Sequence, residues 1–547
     1  MYQTLIRSVL ALGLPLALCA QLPAIYPHGV VNSASFLAPG LPGGSIAQGS
    51  VFTVFGSALG PATGVAASSF PLGTSLSGVT ISVTQGTTTV SAYPLYVSQG
   101  QINALMPSNA PLGAVSVRVV HNNAFSNPSP VNVVHDSVGM YTFTGTGLGP
   151  AALQNAASNG TLPLNTNQAS AKPGQTAVVY LTGLGPISAP DNQPPPAGNL
   201  PTPVAVWVGG VPATVAYSGR SPCCAGLDQI DFVVPPAAPT GCWVPVVVWT
   251  SNANISNTTS MAIDANGAPC TDAANPFSAA LIKGSSTGTV SLIRTAVHED
   301  VSVNAPIDIS SDTFSFSANQ QPGGPFVFTP FAAAPPPGTC TVYPGIGDYW
   351  STGMIPDSTA FTALDGGSQF TVAGSGGPQQ VTLTGGTAAL GGNLPLYGLP
   401  SQLVLTPGNF TVSGAGGANV GAMNVPITVP SPITWTNRDQ TTLVNRSQPL
   451  TISWTGGQGQ TIQILGENSD LPTNSSSLFY CVAPAGATSL TVPPQVLAAI
   501  PATRANWLDS TGVIFVTSSS QATFNQQGLS AAFATAVYKT GKTVVFQ

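Results

Sequence analysis

The chain has 547 residues, enough for three or four domains at roughly 150 residues each. Charged residues make up only 5%, against about 25% in a typical domain, which excludes a coiled coil, a charged helix bundle and a charge-driven disordered chain. A formal net charge of -6 with only 11 Lys and Arg leaves little to meet phosphates, so nucleic acid is not expected as a partner.

Residues 1–20 read as a secretory signal peptide. Arg7 supplies the positive start, and Val9 to Ala17 is apolar but too short for a stable membrane anchor. Cleavage is expected after Ala20. Cys19 offers a lipidation alternative, disfavoured because Leu18 is bulky where a small residue is required. No later apolar run is long enough to span a bilayer as a helix. Export suits the six remaining cysteines, Cys223, Cys224, Cys242, Cys270, Cys340 and Cys481, an even number that suggests disulfides. No His lies near the adjacent Cys223-Cys224, which argues against zinc.

The first half carries one pattern twice. "VNSASF" at Val31, "GSIAQGSVFTVFGSALGP" at Gly44 and "YVSQGQINALMP" at Tyr96 are answered by "LQNAAS" at Leu153, "ASAKPGQTAVVYLTGLGP" at Ala169 and "GLDQIDFVVP" at Gly226. Asn32 and Asn155, Gly60 and Gly185, Gln101 and Gln229 recur in order at nearly constant separation, a period that means tandem domains rather than a solenoid. "VTISV" at Val79 and "VAVWV" at Val204 alternate with period two, as half-buried strands do, and Gly209-Gly210 marks a tight hairpin. Short strands at regular spacing between Gly/Pro turns predict antiparallel sandwiches.

The "GSALGP" and "GQIN" segments, with "VNSASF", resemble Ig-like modules of the IPT/TIG type, and more narrowly an uncharacterised family of secreted bacterial proteins carrying tandem copies. The resemblance covers residues 25–270 and implies an Ig-like sandwich with no known catalytic residues. Copy two departs from copy one by Asp231 in place of Asn103. If Asp228–Val234 and Trp243–Trp249 pair across the intervening turn, and Thr258–Ile263 returns to the same end, Cys242 meets Cys270. Cys223 and Cys224 could close a vicinal bond, strained because adjacent Cα atoms lie closer than a usual disulfide spans. Cys340 and Cys481 are then left to join the last two domains.

Beyond Asn275 the pattern stops, but short Thr/Ser-rich strands continue. The predicted class is all-β: Ig-like domains at 25–137 and 138–270, a β-rich domain at 275–430, and a C-terminal β-sandwich at 431–547. The boundary near Pro430 rests on the stiff "VPSP" segment. "ALGGNLPLYGLP" and "VPITVPSPITW" read as turn-rich connections, and "PPQVLAAIPAT" as one short helix. The stretch from "LTISWTGG" to "VPPQVLAAIP" resembles C-terminal regions of the same secreted proteins.

Few residues carry chemistry. Gly284-Ser285-Ser286-Thr287-Gly288 matches GxSxG, yet chance matches are expected at this Gly and Ser content, and the strand-turn-helix context is missing. His298, Glu299 and Asp300 are adjacent, so on a strand they cannot converge. Asp300, Asp308 and Asp312 are the densest carboxylates; they read as solvated, with a calcium site as the sharper alternative. Asp308 and Asp312 would share a strand face roughly 13 Å apart, too far for a glycosidase pair. Trp207, Trp243 and Trp249 read as core, whereas Asp348, Tyr349 and Trp350 sit in a Gly-rich loop suited to ligand contact. The sequons at Asn254, Asn257 and Asn409 are expected from composition.

These features predict a secreted or cell-surface, non-enzymatic adhesion or binding protein whose partner is a glycan or a surface protein. The alternatives are a polysaccharide hydrolase with Ig-like accessory modules and a structural matrix or filament subunit. No cofactor is called for, calcium being the one candidate ion.

Overall fold

The computed structural model describes residues 22–250, 254–299, 306–346, 361–394, 399–400, 403–505 and 512–547. The fold is all-β; among the described residues the α-helices are the short Ser278–Lys283 and Pro494–Leu497.

The first module is a sandwich. One sheet orders Ala24–Asn32, Val51–Ser57, Gln101–Leu105, Tyr93–Val97 and Val65–Ala66. The other orders Ile46–Ala47, Ser129–Val134, Gly113–His121, Val79–Gln85 and Ser75–Leu76. The period-two pattern holds: Val79, Ile81 and Val83 point into a core shared with Phe52, Val54 and Val117. The second module repeats this layout. Leu153–Asn155, Thr176–Thr182, Asp228–Val233 and Val211–Arg220 answer the first sheet, and Val204–Val208, Gly241–Thr250 and Thr259–Ile263 the second. Even the parallel contact of Ile46–Ala47 with Ser129–Val134 returns, as a parallel bridge between Ala171 and Ile263. Both are Ig-like sandwiches by this connectivity. Gly209 and Gly210 have φ of 58° and 82°, the double positive turn that a two-residue hairpin requires.

One expected pairing does not form. Asp228–Val233 lies between Thr176–Thr182 and Val211–Arg220, while Gly241–Thr250 pairs with Val204–Val208 and Thr259–Ile263. The segment from Pro235 to Gly241 is therefore a crossing between the two sides of the sandwich, not a hairpin. Cys242 is bonded to Cys270 because Gly241 faces Ile263 across the other pairing.

The two modules meet around a buried ion pair. Arg220, 2% exposed, binds Asp228, 0% exposed, and its Nη2 reaches Gly185 O at 2.6 Å and, in the first module, Gly49 O at 2.9 Å. Leu184 N donates to Asp228 Oδ2 at 2.8 Å. Burial pushes the Asp228 carboxyl up, against the downward pull of Arg220 and of the Leu184 N–H. Further bonds cross the joint, from Val51 N to Thr182 Oγ1 at 2.9 Å and from Ser108 Oγ to Asp191 Oδ1 at 2.6 Å.

The second half is built on one 11-stranded sheet, whose main path runs from Cys340–Ile346 through Ser475–Val482, Thr461–Asp470, Gly512–Phe524, Ala531–Phe546, Ser286–Glu299, Ile307–Gln320 and Thr387–Leu394 to Leu399–Pro400. Two small sheets cover the same face of it. A four-stranded sheet (Gly377–Thr382, Gln369–Gly374, Gly408–Gly414, Met423–Val429) packs Phe370, Phe410 and Val425 on Leu292, Phe314 and Ala536. A three-stranded sheet (Thr434–Trp435, Leu450–Thr455, Ser489–Val492) packs Trp435 and Trp454 on Ile464, Ile514 and Phe546. The two small sheets lie on either side of Pro430 in the chain, while the large sheet takes strands from both sides of it. Cys340 and Cys481 are directly paired across neighbouring strands and bonded, so the edge strand Cys340–Ile346 is stapled to strands that follow Pro430. Two segments read as connections are strands, Thr387–Leu394 and Met423–Val429. The second alternates buried and exposed residues throughout, and its Pro426 is tolerated because the strand lies at a sheet edge. The opposite face of the large sheet receives the second module through Trp243, Phe328, Tyr343 and Tyr480.

Removing Arg220 strands a buried carboxylate. Arg220→Leu should lower stability by about 3–5 kcal/mol in urea unfolding, and the double change with Asp228→Leu should recover part of the loss.

Candidate functional site

Asp348, Tyr349, Trp350 and Asp300 lie outside the described residues. Asp312, a candidate calcium ligand, lies in the strand Ile307–Gln320 opposite Arg294. It is fully buried and accepts Arg294 Nε and Nη2 at 2.8 Å each, Val404 N at 2.6 Å and Leu405 N at 2.8 Å. Three of these donors meet Oδ2 and one meets Oδ1. Asp308 is 80% exposed and bonds His298 Nδ1 at 3.0 Å. It sits four residues from Asp312 on the same strand face, so the two carboxylates do not converge. Among the described residues no group of three or more His, Cys, Asp or Glu side chains could hold a metal. Asp365 is occupied too. Its carboxylate accepts Ala418 N at 3.0 Å and Gly367 N at 2.9 Å, which hold it below the ordinary range.

Ser286 opens the strand Ser286–Glu299, after a helix capped by Gly284 in the left-handed region. Helix-turn-strand is the reverse of a nucleophile elbow. Its hydroxyl meets Ser530 Oγ at 3.2 Å and accepts Ser530 N at 2.9 Å. His298 and Glu299 diverge as expected of strand neighbours: Glu299 Oε1 accepts the Thr543 hydroxyl at 3.1 Å, while His298 meets Asp308.

The repeat motifs are structural. Asn32 accepts Ala34 N and Ser35 N at 2.9 and 3.2 Å, closing its own turn. Gln101 Nε2 bonds Asn103 Oδ1 at 2.9 Å, and Gln229 Nε2 bonds Asp231 Oδ1 at 2.8 Å, so the one departure between copies keeps the same contact. Of the three tryptophans read as core, only Trp243 is buried; Trp207 and Trp249 are half-buried on the outer sheet face, with ring centroids 5.8 Å apart. The sequon Asn257 is buried, donating to Met140 O and Gly147 O, whereas Asn409 is exposed.

A groove lies on the outer face of the four-stranded sheet, with a volume of about 550 Å3. Register places Gln380, Thr371 and Ser413 side by side in one row, and Thr382 beside Gln369 in the next. Rows on one strand face are about 6.7 Å apart, and neighbouring strands about 4.8 Å apart. Between the rows run the backbones of Val381, Phe370 and Gly414, with the Phe370 and Val381 side chains turned into the core. Gly414 is required there, since a Cβ would lie 2.8 Å from the Phe370 ring. None of the described residues lining the groove carries a charge or titrates near neutrality. It can exchange hydrogen bonds through amides and hydroxyls on a rigid floor, and it offers no acid, base or activated nucleophile. Sequence reasoning missed it.

A smaller cleft of about 80 Å3 lies where the linker from the second module crosses the large sheet, lined by Asp272, Phe277, Phe331, Gln463, Tyr480 and Gln521. Gln463 Nε2 donates to the Tyr480 hydroxyl at 2.7 Å. Asp272 Oδ2 is shielded and has no hydrogen-bond partner among the described residues. Burial pushes the Asp272 carboxyl up to about 6, partly opposed by the Asn275 and Ala274 N–H groups.

No protein-family model matches this chain, and no curated protein matches it. Among solved structures it is similar to the SGBP-B of a Bacteroides ovatus mixed-linkage glucan utilization locus in complex with a mixed-linkage heptasaccharide (11% identity, 79% of each chain covered, TM-score 0.13). It is also similar to the SGBP-B of a complex xyloglucan utilization locus in Bacteroides uniformis (11% identity, 69% of this chain and 87% of that one, TM-score 0.16). A third likeness is to the I9–I11 tandem of titin (8% identity, 71% of this chain and 94% of that one, TM-score 0.12). At these TM-scores nothing about ligand or activity follows from them.

Two outcomes are expected. Because Asp308 and Asp312 do not converge, adding calcium or a chelator should leave the thermal midpoint of the protein unchanged. The Asp272 carboxyl should titrate near pH 6 in a carbon-13 NMR series. Its folded pKa is raised, so its stabilising contribution is full below the ordinary 3.8 and is lost as pH rises through about 6. The stability of wild type relative to Asp272→Asn should fall across that window.

Proposed function

We propose that this chain is an extracellular, non-catalytic binding protein whose outer groove on the four-stranded sheet takes an uncharged, polyhydroxylated ligand of the glycan class. The observation that carries this reading is the row of Gln380, Thr371 and Ser413 beside Gln369 and Thr382, amides and hydroxyls on a stiff sheet with no charge among them. Such groups match the paired donors and acceptors of a sugar without the desolvation cost a charged lining would add. Three disulfides suit an oxidising exterior. Within this reading the modules hold the groove away from an attachment point. Asp348, Tyr349 and Trp350, read from the sequence as a ligand-contact loop, are the alternative site within this reading.

The test is affinity electrophoresis of the protein in native gels containing neutral polysaccharides. Retardation by one glycan class is expected. The double variant Gln380→Ala, Thr371→Val removes two hydrogen bonds at about 1 kcal/mol each, so binding should weaken by roughly thirtyfold. Retardation that survives in this variant but disappears in Trp350→Ala moves the site to the aromatic loop. No retardation by any neutral glycan sinks the reading and favours adhesion to another protein.

A further inference from the structure

The loop 221–227 connects the strands that carry Arg220 and Asp228, and it is the plug between the two Ig-like modules. Its backbone is tied at the base by Ser221 N to Leu227 O at 2.9 Å, and within by Leu227 N to Cys224 O at 3.2 Å. Ala225 is buried against Leu72 and Leu105 of the first module. Gly226 presses closer still: a Cβ there would lie 2.6 Å from Leu105 and 2.7 Å from Val51. Its carbonyl accepts the Thr182 hydroxyl at 2.7 Å, and the Thr182 oxygen in turn accepts Val51 N. Immediately before this plug, Cys223 and Cys224 are bonded to each other, and both are exposed.

This bond differs from the other two in position and in what it can do. Cys242–Cys270 and Cys340–Cys481 are buried and close segments with sequence separations of 28 and 141. Such bonds restrict the unfolded chain. Cys223–Cys224 has a separation of 1 and encloses no segment. Its effect is confined to the shape of the loop that seats Ala225 and Gly226. The geometry points to Cys223–Cys224 as a reducible modification site through which a dithiol reductant loosens the joint between the two modules. A thiolate of the dithiol attacks one sulfur, a mixed disulfide forms, and the reductant's second thiol displaces the protein cysteine. The protein gains two electrons and two protons as two thiols, and the reductant leaves as its disulfide. The freed loop no longer holds its buried residues in one arrangement against Val51, Leu72 and Leu105.

The experiment titrates the full mature chain with dithiothreitol under native conditions, traps thiols with iodoacetamide, and locates them by peptide mass spectrometry. Hydrogen exchange is read on the same samples. The first two thiols should be those of Cys223 and Cys224, with the other four cysteines still bonded. Exchange in 221–227 and around Val51 and Leu105 should then accelerate at least tenfold. The double variant Cys223→Ser, Cys224→Ser should show the fast exchange without reductant and no further response to it. Thiols appearing first at any other cysteine overturn the proposal. So do Cys223 and Cys224 thiols that leave exchange at Val51 and Leu105 unchanged. If the variant does not fold, the wild-type titration decides alone.

Discussion

The strand Ala531–Phe546 is the constraint on which the second half depends. It pairs antiparallel with Gly512–Phe524 on one side and parallel with Ser286–Glu299 on the other, and its 16 residues run under both small sheets. Ala534, Ala536 and Tyr538 belong to one core, Val544 and Phe546 to the other. A parallel neighbour cannot be supplied by a hairpin, so only a long crossover brings these strands together. That single element fuses what would otherwise be two sandwiches into one slab. It also fixes the outer sheet that bears the groove, because that sheet has no core except the face it covers.

Where the amino-acid pattern is local, it reads directly. The alternation of Val79, Ile81 and Val83, the Gly209-Gly210 turn and the doubled motifs all found their place, because each depends on neighbours within a dozen residues. Pairings between distant strands did not read as well. Asp228–Val233 and Gly241–Thr250 are adjacent strong strands, and adjacency suggested a hairpin; the choice between hairpin and crossing is made by cores that recruit Phe232 and Val246 from opposite sides. Pro426 made Met423–Val429 look like a connection, since sequence does not reveal which strand is an edge.

The candidate site was less legible still. Asp312 looked like a ligand because carboxylates are scarce here, but scarcity also marks the few places where a charge is buried with its partner; Arg294, 18 residues upstream, became that partner only through strand register. Thr371, Gln380 and Ser413 carry no signal singly in a chain so rich in hydroxyls and amides. They become a row when three strands align. A polar, uncharged face is therefore a property of register rather than of any motif, in contrast to the Gln101–Asn103 and Gln229–Asp231 contacts, each made within one motif.

The placement of the basic residues bears on how the folded chain meets a protease. Trypsin-like proteases need an accessible Lys or Arg in a segment that can enter their cleft. Here Arg220 and Lys542 are buried, Arg294 is fixed on Asp312 within a strand, and exposed Lys172 is followed by Pro173, which blocks cleavage. Arg118 is exposed but held in the sheet by Gly113–His121. Of the eleven Lys and Arg residues these five are poorly placed for cleavage, which leaves, among the described residues, exposed Lys283 and Arg504 as the points at which the folded chain can be cut.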